Sequence, residues 1–467
     1  MQETSEKNKN KVKPRRIRLV PGQIIPISFL LTILIGTLLL MLPVSTASGE
    51  QTDFVTALFT ATTSVCVTGL VVVDTYIHWS LFGKIIILIL IQLGGLGIVT
   101  VISMLMLITN KKFSLSNRVL LYDAFNMNTR SGILSFLVAV LKGTFVVEGI
   151  GAILYAFSFI PRFGLVKGIW ISIFTAISAF CNAGIDIIGP DSLIGYQQDP
   201  WVMTVTMILI VLGGLGYVVW FDMITTVKQG RAKHYSVFKI IKRMGEHTRL
   251  VFRLTVLFIV LGAVFIFFAE NHNTGTIGNM GMGGKILNSV FQSVTFRTAG
   301  FASVPQQNLT DISCIVGYVL MFIGGSPVGT AGGVKTVTMF IVILNAVSFI
   351  RNRTETVVFQ RKISEDMMRK AAAIITVSFF AVVALTLLLL ATNDVTMEDG
   401  LYEAVSALAT VGLTRGLTPS LNTSGRILIV IGMYLGRIGP ISMAVFFSKM
   451  NPDKNGISFS EGQFYVG

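Results

Sequence analysis

Four glycines recur at a spacing that would let backbone carbonyls bind a bare cation. Gly69 in TTSVCVTGL, Gly184 in FCNAGID, Gly300 in FRTAGFA and Gly412 in LATVGLT each follow a short amphipathic run and precede a long apolar segment. Their separations of 115, 116 and 112 residues cover the whole chain and mark an internal repeat. One such bend reads as an ordinary turn between two membrane helices; four in register are harder to explain that way. The residue before each glycine is small or β-branched (Thr68, Ala183, Ala299, Val411), and the one after is large and apolar (Leu70, Ile185, Phe301, Leu413). Glycine enters the required backbone region without steric cost, and a strand packed on its outer side keeps its carbonyls free on the inner side. Four strands around one axis would make a ring of peptide oxygens able to replace a cation's hydration shell. The expected lining is Val67, Thr68 and Gly69; Asn182, Ala183 and Gly184; Thr298, Ala299 and Gly300; Thr410, Val411 and Gly412.

Two departures from the repeat point to a second element. GGSPVGTAGGVKT, residues 324–336, interrupts an apolar segment with Gly324, Gly325, Ser326, Pro327, Gly329, Thr330, Gly332, Gly333 and Lys335. Irregular backbone cannot face lipid, so this stretch must face protein or water. It reads either as a buried kink or as a mobile loop across the conduction path. Arg437 lies in YLGRIGP near the middle of the last apolar segment, where a central arginine costs about 2.5–3.5 kcal/mol on the insertion scale. It must face a cavity or a partner, as a gate or as a helix-pairing group. Arg297 is expected to brace the third turn from behind. Lys142 and Glu148 are six residues apart and do not share a helix face.

Other chemistry finds little support. GGLG occurs twice, at Gly94, Gly95 and Gly97 and at Gly213, Gly214 and Gly216, but within apolar helices rather than after a strand, so close helix packing explains it better than a phosphate loop. Cys66, Cys181 and Cys314 lack CxxC spacing, and His78, His234, His247 and His272 are scattered, so no disulfide framework or zinc site is indicated. A membrane-embedded enzyme would need a cluster of nucleophile, base or metal ligands. The turn stretches also lack the central carboxylates or histidines that proton-driven pumps use, which favours passive flow.

Composition sets the frame that holds these residues. The 467 residues are 52% hydrophobic and 13% charged, with a mean hydropathy of +0.74, which implies a multi-spanning membrane protein. A net charge of +14 gathers in short loops and reads as membrane orientation rather than nucleic-acid binding. The expected plan is a basic N-terminal arm (1–19), repeat 1 (20–110), repeat 2 (111–230), repeat 3 (231–350) and repeat 4 with a C-terminal tail (351–467). Each repeat supplies two segments near the about 20 residues that cross a bilayer, including 202–225, 312–350 and 427–447. Lys111, Lys112, Arg118 and Arg130, then Lys228 to Arg249, then Arg351 to Lys370 fall on one face, with both termini inside; Asp53, Asp74, Asp186, Asp191, Asp199, Asp311, Asp394, Glu398 and Asp399 fall on the other. The fold class is thus an all-α membrane protein of four helix–pore-helix–helix repeats, eight transmembrane helices in a pseudo-fourfold arrangement around a pore.

TTSVCVTGL, FCNAGID, SVTFRTAGF and SALATVGLT together resemble the Trk/Ktr/HKT superfamily of cation transporters, from about residue 20 to the C-terminus. GGSPVGTAGGVKT and GRIGP make the resemblance strongest to KtrB-type membrane subunits of bacterial Ktr potassium uptake systems. The resemblance implies a K+ filter at the four glycines, with Gly69 in place of the serine of sodium-permeable plant relatives. It also implies a gate formed by residues 324–336 with Arg437, a homodimer in the bacterial cell membrane, and a cytoplasmic KtrA-type ring that alone binds ATP or ADP. No covalently bound cofactor and no nucleic acid are expected; K+ is the transported ion, and Na+ stimulation is left open. The alternative within the superfamily is a sodium-permeable or poorly selective transporter.

Overall fold

Helix starts in this chain are marked by short polar side chains that satisfy otherwise free amides. Asp53 accepts from the Val55 and Thr56 amides, Asp199 from those of Trp201 and Val202, Ser364 from that of Met367 and Thr396 from that of Asp399. Three of the outer acidic residues, Asp53, Asp74 and Asp199, are therefore caps. The computed structural model describes residues 21–97 and 133–439 and is predominantly helical. The basic arm, the loop with Lys111 to Arg130 and the C-terminal tail lie outside the described residues.

The first unit contains α1 (Pro21–Leu40), α2 (Phe54–Cys66) and α3 (Leu81–Leu96). The second contains α4 (Ile133–Phe163), α5 (Leu165–Cys181), α6 (Pro200–Gly214) and α7 (Tyr217–Ala232). The third contains α8 (Val237–Arg243), α9 (Glu246–Glu270), α10 (Met282–Thr295), α11 (Asp311–Phe322) and α12 (Thr336–Ile350). A two-stranded hairpin, β1 (Val357–Val358) and β2 (Arg361–Lys362), pairs Val357 with Lys362 and leads into α13 (Glu365–Thr392), α14 (Met397–Leu408) and α15 (Thr423–Ile438).

Among the described residues, α1, α4, α9 and α13 are each long and apolar enough to cross a membrane. Their outward faces carry Leu38, Phe157, Phe268 and Phe380, all exposed, an arrangement suited to lipid and not to water. The short helices α2, α5, α10 and α14 lie inside. Phe59, Phe174, Phe291 and Tyr402 on them are completely buried, ten residues before the unit's glycine in three units and nine in the third.

The expected continuous span over 202–225 is instead two helices, α6 and α7, at 95° to one another. The chain turns at Gly216 (φ 92°), and the freed Tyr217 amide donates to the Val328 carbonyl at 2.9 Å. The other second helices stop at matching places: α3 before Gly97, α11 at Phe322 and α15 before Gly439. The segments immediately beyond Gly97 and beyond Gly439 lie outside the described residues.

Candidate functional site

The inner helices end in turns of one local design. Val67, Asn182, Thr298 and Thr410 are left-handed (φ 54°, 58°, 66° and 51°), and two residues later Gly69, Gly184, Gly300 and Gly412 also have positive φ (103°, 62°, 82° and 96°). A hydroxyl in the last turns of each inner helix fixes the strand from behind. Thr63 accepts from the Gly69 amide at 2.9 Å and Ser406 from the Gly412 amide at 3.1 Å. Ser178 donates to the Ile185 carbonyl at 2.5 Å, and Thr295 to the Phe301 carbonyl at 2.6 Å. The carbonyls just after the second and third glycines are thereby engaged on the outer side. Among the described residues nothing donates to the carbonyls of Thr68, Ala183, Ala299 and Val411, those just before the glycines.

The four turns meet. A methyl group placed on Gly69 would stand 2.7 Å from the Ala183 oxygen, on Gly184 2.7 Å from the Ala299 oxygen, and on Gly300 2.6 Å from the Val411 oxygen. On Gly412 it would overlap the Thr68 oxygen, which closes the cycle. Each glycine thus faces the free carbonyl of its neighbour, and a Cβ at any of them would force the neighbouring strand to shift. The C-terminal ends of α2, α5, α10 and α14, where helix carbonyls concentrate partial negative charge, converge on the same point. Geometry of this kind can hold a dehydrated cation through peptide oxygens.

On one side the ring opens into a cavity of about 280 Å³, lined by the four glycines together with Asp74, Asp186 and other residues downstream of the turns. Burial pushes the Asp186 carboxyl up to about 6, against the opposing bonds from Ser192 and the Ile188 amide, and Asp74 across the vestibule adds to the shift. Of the outer acidic residues, these two face the vestibule. The vestibule wall is tied by buried polar groups that sequence reading missed. Glu403 on α14 accepts from the hydroxyls of Thr414 (2.8 Å) and Thr418, and Gln306 accepts from Gln292 (2.6 Å) and from the Tyr402 hydroxyl (3.0 Å).

On the other side lies the break between α11 and α12. Residues 323–335 fold back so that the Gly324 amide donates to the Val334 carbonyl and the Val334 amide to the Phe322 carbonyl, both at 3.0 Å. The segment is held against the second unit by the Ser326 amide to the Gly214 carbonyl (3.0 Å) and by the Thr330 hydroxyl to the Phe180 carbonyl (3.2 Å). Lys335 donates to the Ala331 carbonyl at 2.6 Å. Arg437 donates from Nη1 to the Thr330 carbonyl at 2.5 Å and from Nη2 to the Gly94 carbonyl, joining the first, third and fourth units. Both cations expected at this level are satisfied by backbone oxygens rather than by carboxylates.

The remaining candidates have places outside the ring. Gly94 and Gly213 do permit close approach, since a methyl on either would overlap the Val65 or the Phe180 carbonyl oxygen. Arg297 is buried beside Val211, Gly214, Ile259 and Gly325, a crevice that includes none of the ring residues. Lys142 is exposed, whereas Glu148 is buried and accepts from Gln92 Nε2 at 3.1 Å, so the two do not pair. The signal available for the bracing hydroxyls was their recurrence five or six residues before each glycine.

Comparison with known proteins identifies relatives over nearly the whole chain. The sequence profile described as TrkH, a cation transport protein, matches residues 7–458. The Ktr system potassium uptake protein B of Bacillus subtilis is 36% identical over 97% of this chain and 98% of its own length. The potassium/sodium uptake protein NtpJ of Enterococcus hirae is also 36% identical, over 97% and 98%. The crystal structure of the potassium transporter TrkH from Vibrio parahaemolyticus shares the fold, with a TM-score of 0.74 over 95% of this chain and 87% of that one at 15% identity.

Proposed function

This chain belongs to the TrkH family of cation transport proteins, and on that footing we propose that it is the ion-translocating membrane subunit of a potassium uptake system. The observation that carries the proposal is the closed cycle in which each glycine faces the free carbonyl of the next unit. K+ enters the acidic vestibule, sheds water against the carbonyls of Thr68, Ala183, Ala299 and Val411, and leaves on the side of residues 324–336. The membrane potential is a sufficient drive, since about 2.3 kcal/mol per charge per 100 mV corresponds to roughly fifty-fold accumulation. Eight crossings in four pseudo-equivalent units, with both termini in the cytoplasm, reconcile the repeat with the one-sided distribution of basic loops.

Residues 324–336 act as the gate in this proposal, docked by Arg437 and Lys335 beneath the ring. A cytoplasmic nucleotide-binding partner and a homodimer complete the working assembly. The basic segments from Lys228 to Arg249 and Arg351 to Lys370 are the surfaces on which the partner would act. Sodium permeation is the second reading, favoured by the likeness to a protein named for both potassium and sodium uptake.

The test is rescue of a potassium-uptake-deficient bacterium at low K+, with the Gly69→Ser variant alongside. The native chain restores growth. The variant, whose new Cβ would stand 2.7 Å from the Ala183 oxygen, gains Na+ permeation relative to K+. Unchanged ion preference in flux assays would remove the ring from the mechanism.

A further inference from the structure

Of the four left-handed residues Val67, Asn182, Thr298 and Thr410, the first three have side chains beside the places where second helices end. Val67 Cγ2 would lie 2.9 Å from a methyl on Gly94, Asn182 Nδ2 3.6 Å from one on Gly214, and Thr298 Cγ2 3.1 Å from one on Gly324. Three of the four are polar. Asn182 and Thr410 are each 1% exposed, and neither amide atom of Asn182 nor the Thr410 hydroxyl has a partner among the described residues. Buried amides and hydroxyls without partners are costly, so their presence directly beneath a carbonyl ring asks for a ligand.

The tip of the interrupting segment, Ala331 and Gly332, sits among these side chains. The Gly332 amide donates to the Thr298 hydroxyl at 3.2 Å, and a methyl on Gly332 would overlap Thr410 Oγ1. Ala331 Cβ and Asn182 Nδ2 approach the same face of Gly214, at 3.7 and 3.6 Å from a methyl built there.

We propose that Asn182, Thr298 and Thr410 form an oxygen collar that receives a partly hydrated monovalent cation as it leaves the ring, and that the Ala331–Gly332 tip competes with the ion for this collar. The proposal rests on the conduit reading above and adds a second site to it. An amide oxygen and two hydroxyl oxygens are the hard, neutral ligands that suit a monovalent cation or its water. Val67 leaves the fourth side apolar, so the ion is held without being trapped. Occupancy of the collar by an ion then opposes docking of the tip.

The experiment uses the full chain in lipid vesicles, with K+ and Na+ flux measured for Asn182→Leu, Thr410→Val and Thr410→Ser. The first two remove an oxygen at nearly constant volume; the third keeps it. Thr298 is left intact because its hydroxyl also holds the tip. K+ flux is expected to fall about tenfold in Asn182→Leu and in Thr410→Val, the size of effect of losing one hydrogen-bonding ligand to a charge. Thr410→Ser, which keeps the hydroxyl, should conduct K+ better than Thr410→Val. Flux at or above the native level in Asn182→Leu and Thr410→Val overturns the collar. Should Asn182→Leu fail to fold, the two Thr410 variants decide alone. Gly69→Ser run in parallel separates the two readings: an unchanged ion preference there sinks the ring, whereas an altered preference with native-like collar variants sinks only the collar.

Discussion

Arg437→Ala should convert this protein into a leak. In the docked arrangement Arg437 donates to the Thr330 carbonyl at 2.5 Å and to the Gly94 carbonyl, so its fork ties the interrupting segment to the end of α3. Each hydrogen bond from a charged donor contributes about 1.5–3 kcal/mol, and water entering the space of the lost guanidinium restores part of that. A net loss of about 2–4 kcal/mol in docking would shift the docked-to-undocked ratio by roughly 30- to 1000-fold. The assay is K+ release from vesicles containing the purified chain without any cytoplasmic partner. The alanine variant should release K+ at least about tenfold faster than the native chain, a conservative reading of that range. Arg437→Lys separates two causes, since lysine keeps the charge and loses the fork. If docking is what matters, the lysine variant leaks to an intermediate degree; if charge repulsion is what matters, it stays tight. Stable, monodisperse Arg437→Ala protein that releases K+ no faster than the native chain would refute the assignment of this segment as a gate.

The same geometry sets two other outcomes. External acidification through about pH 6 should reduce K+ uptake by about threefold, the effect of one unit charge a few ångströms away in water, because Asp186 in the vestibule is neutralised there. Asp186→Asn should flatten that profile in a pH series of uptake rates. The sign for stability is opposite to that of a salt-bridged carboxylate: with its folded-state value raised, Asp186 favours the folded chain most at low pH and loses that contribution as pH rises through about 6. Gly213→Ala should destabilise the folded chain by about 3 kcal/mol or more, since its methyl would overlap the Phe180 backbone oxygen and stand 2.7 Å from Thr330 Oγ1. Gly149→Ala, where nothing lies within 4 Å, is the control and should be neutral or slightly stabilising in thermal melts in detergent.

Chain composition and the spacing of four glycines were enough to establish a multi-pass, largely helical membrane protein with a repeated helix–turn plan, because apolar length and turn residues are local properties. The bend at residues 324–336 was legible for the same reason: no regular helix passes through Pro327 and five glycines. Partners were not legible. That each free carbonyl faces the next unit's glycine, that Arg437 reaches Gly94 some 340 residues away, and that 202–225 breaks at Gly216 to give its Tyr217 amide to Val328 depend on contacts between units. A glycine pattern is the same whether its turns meet or lie apart. Only packing of the four inner helices brings each free carbonyl against the next unit's glycine, and only the close approach allowed at Gly94 and Gly213 lets the second helices pack against the inner ones.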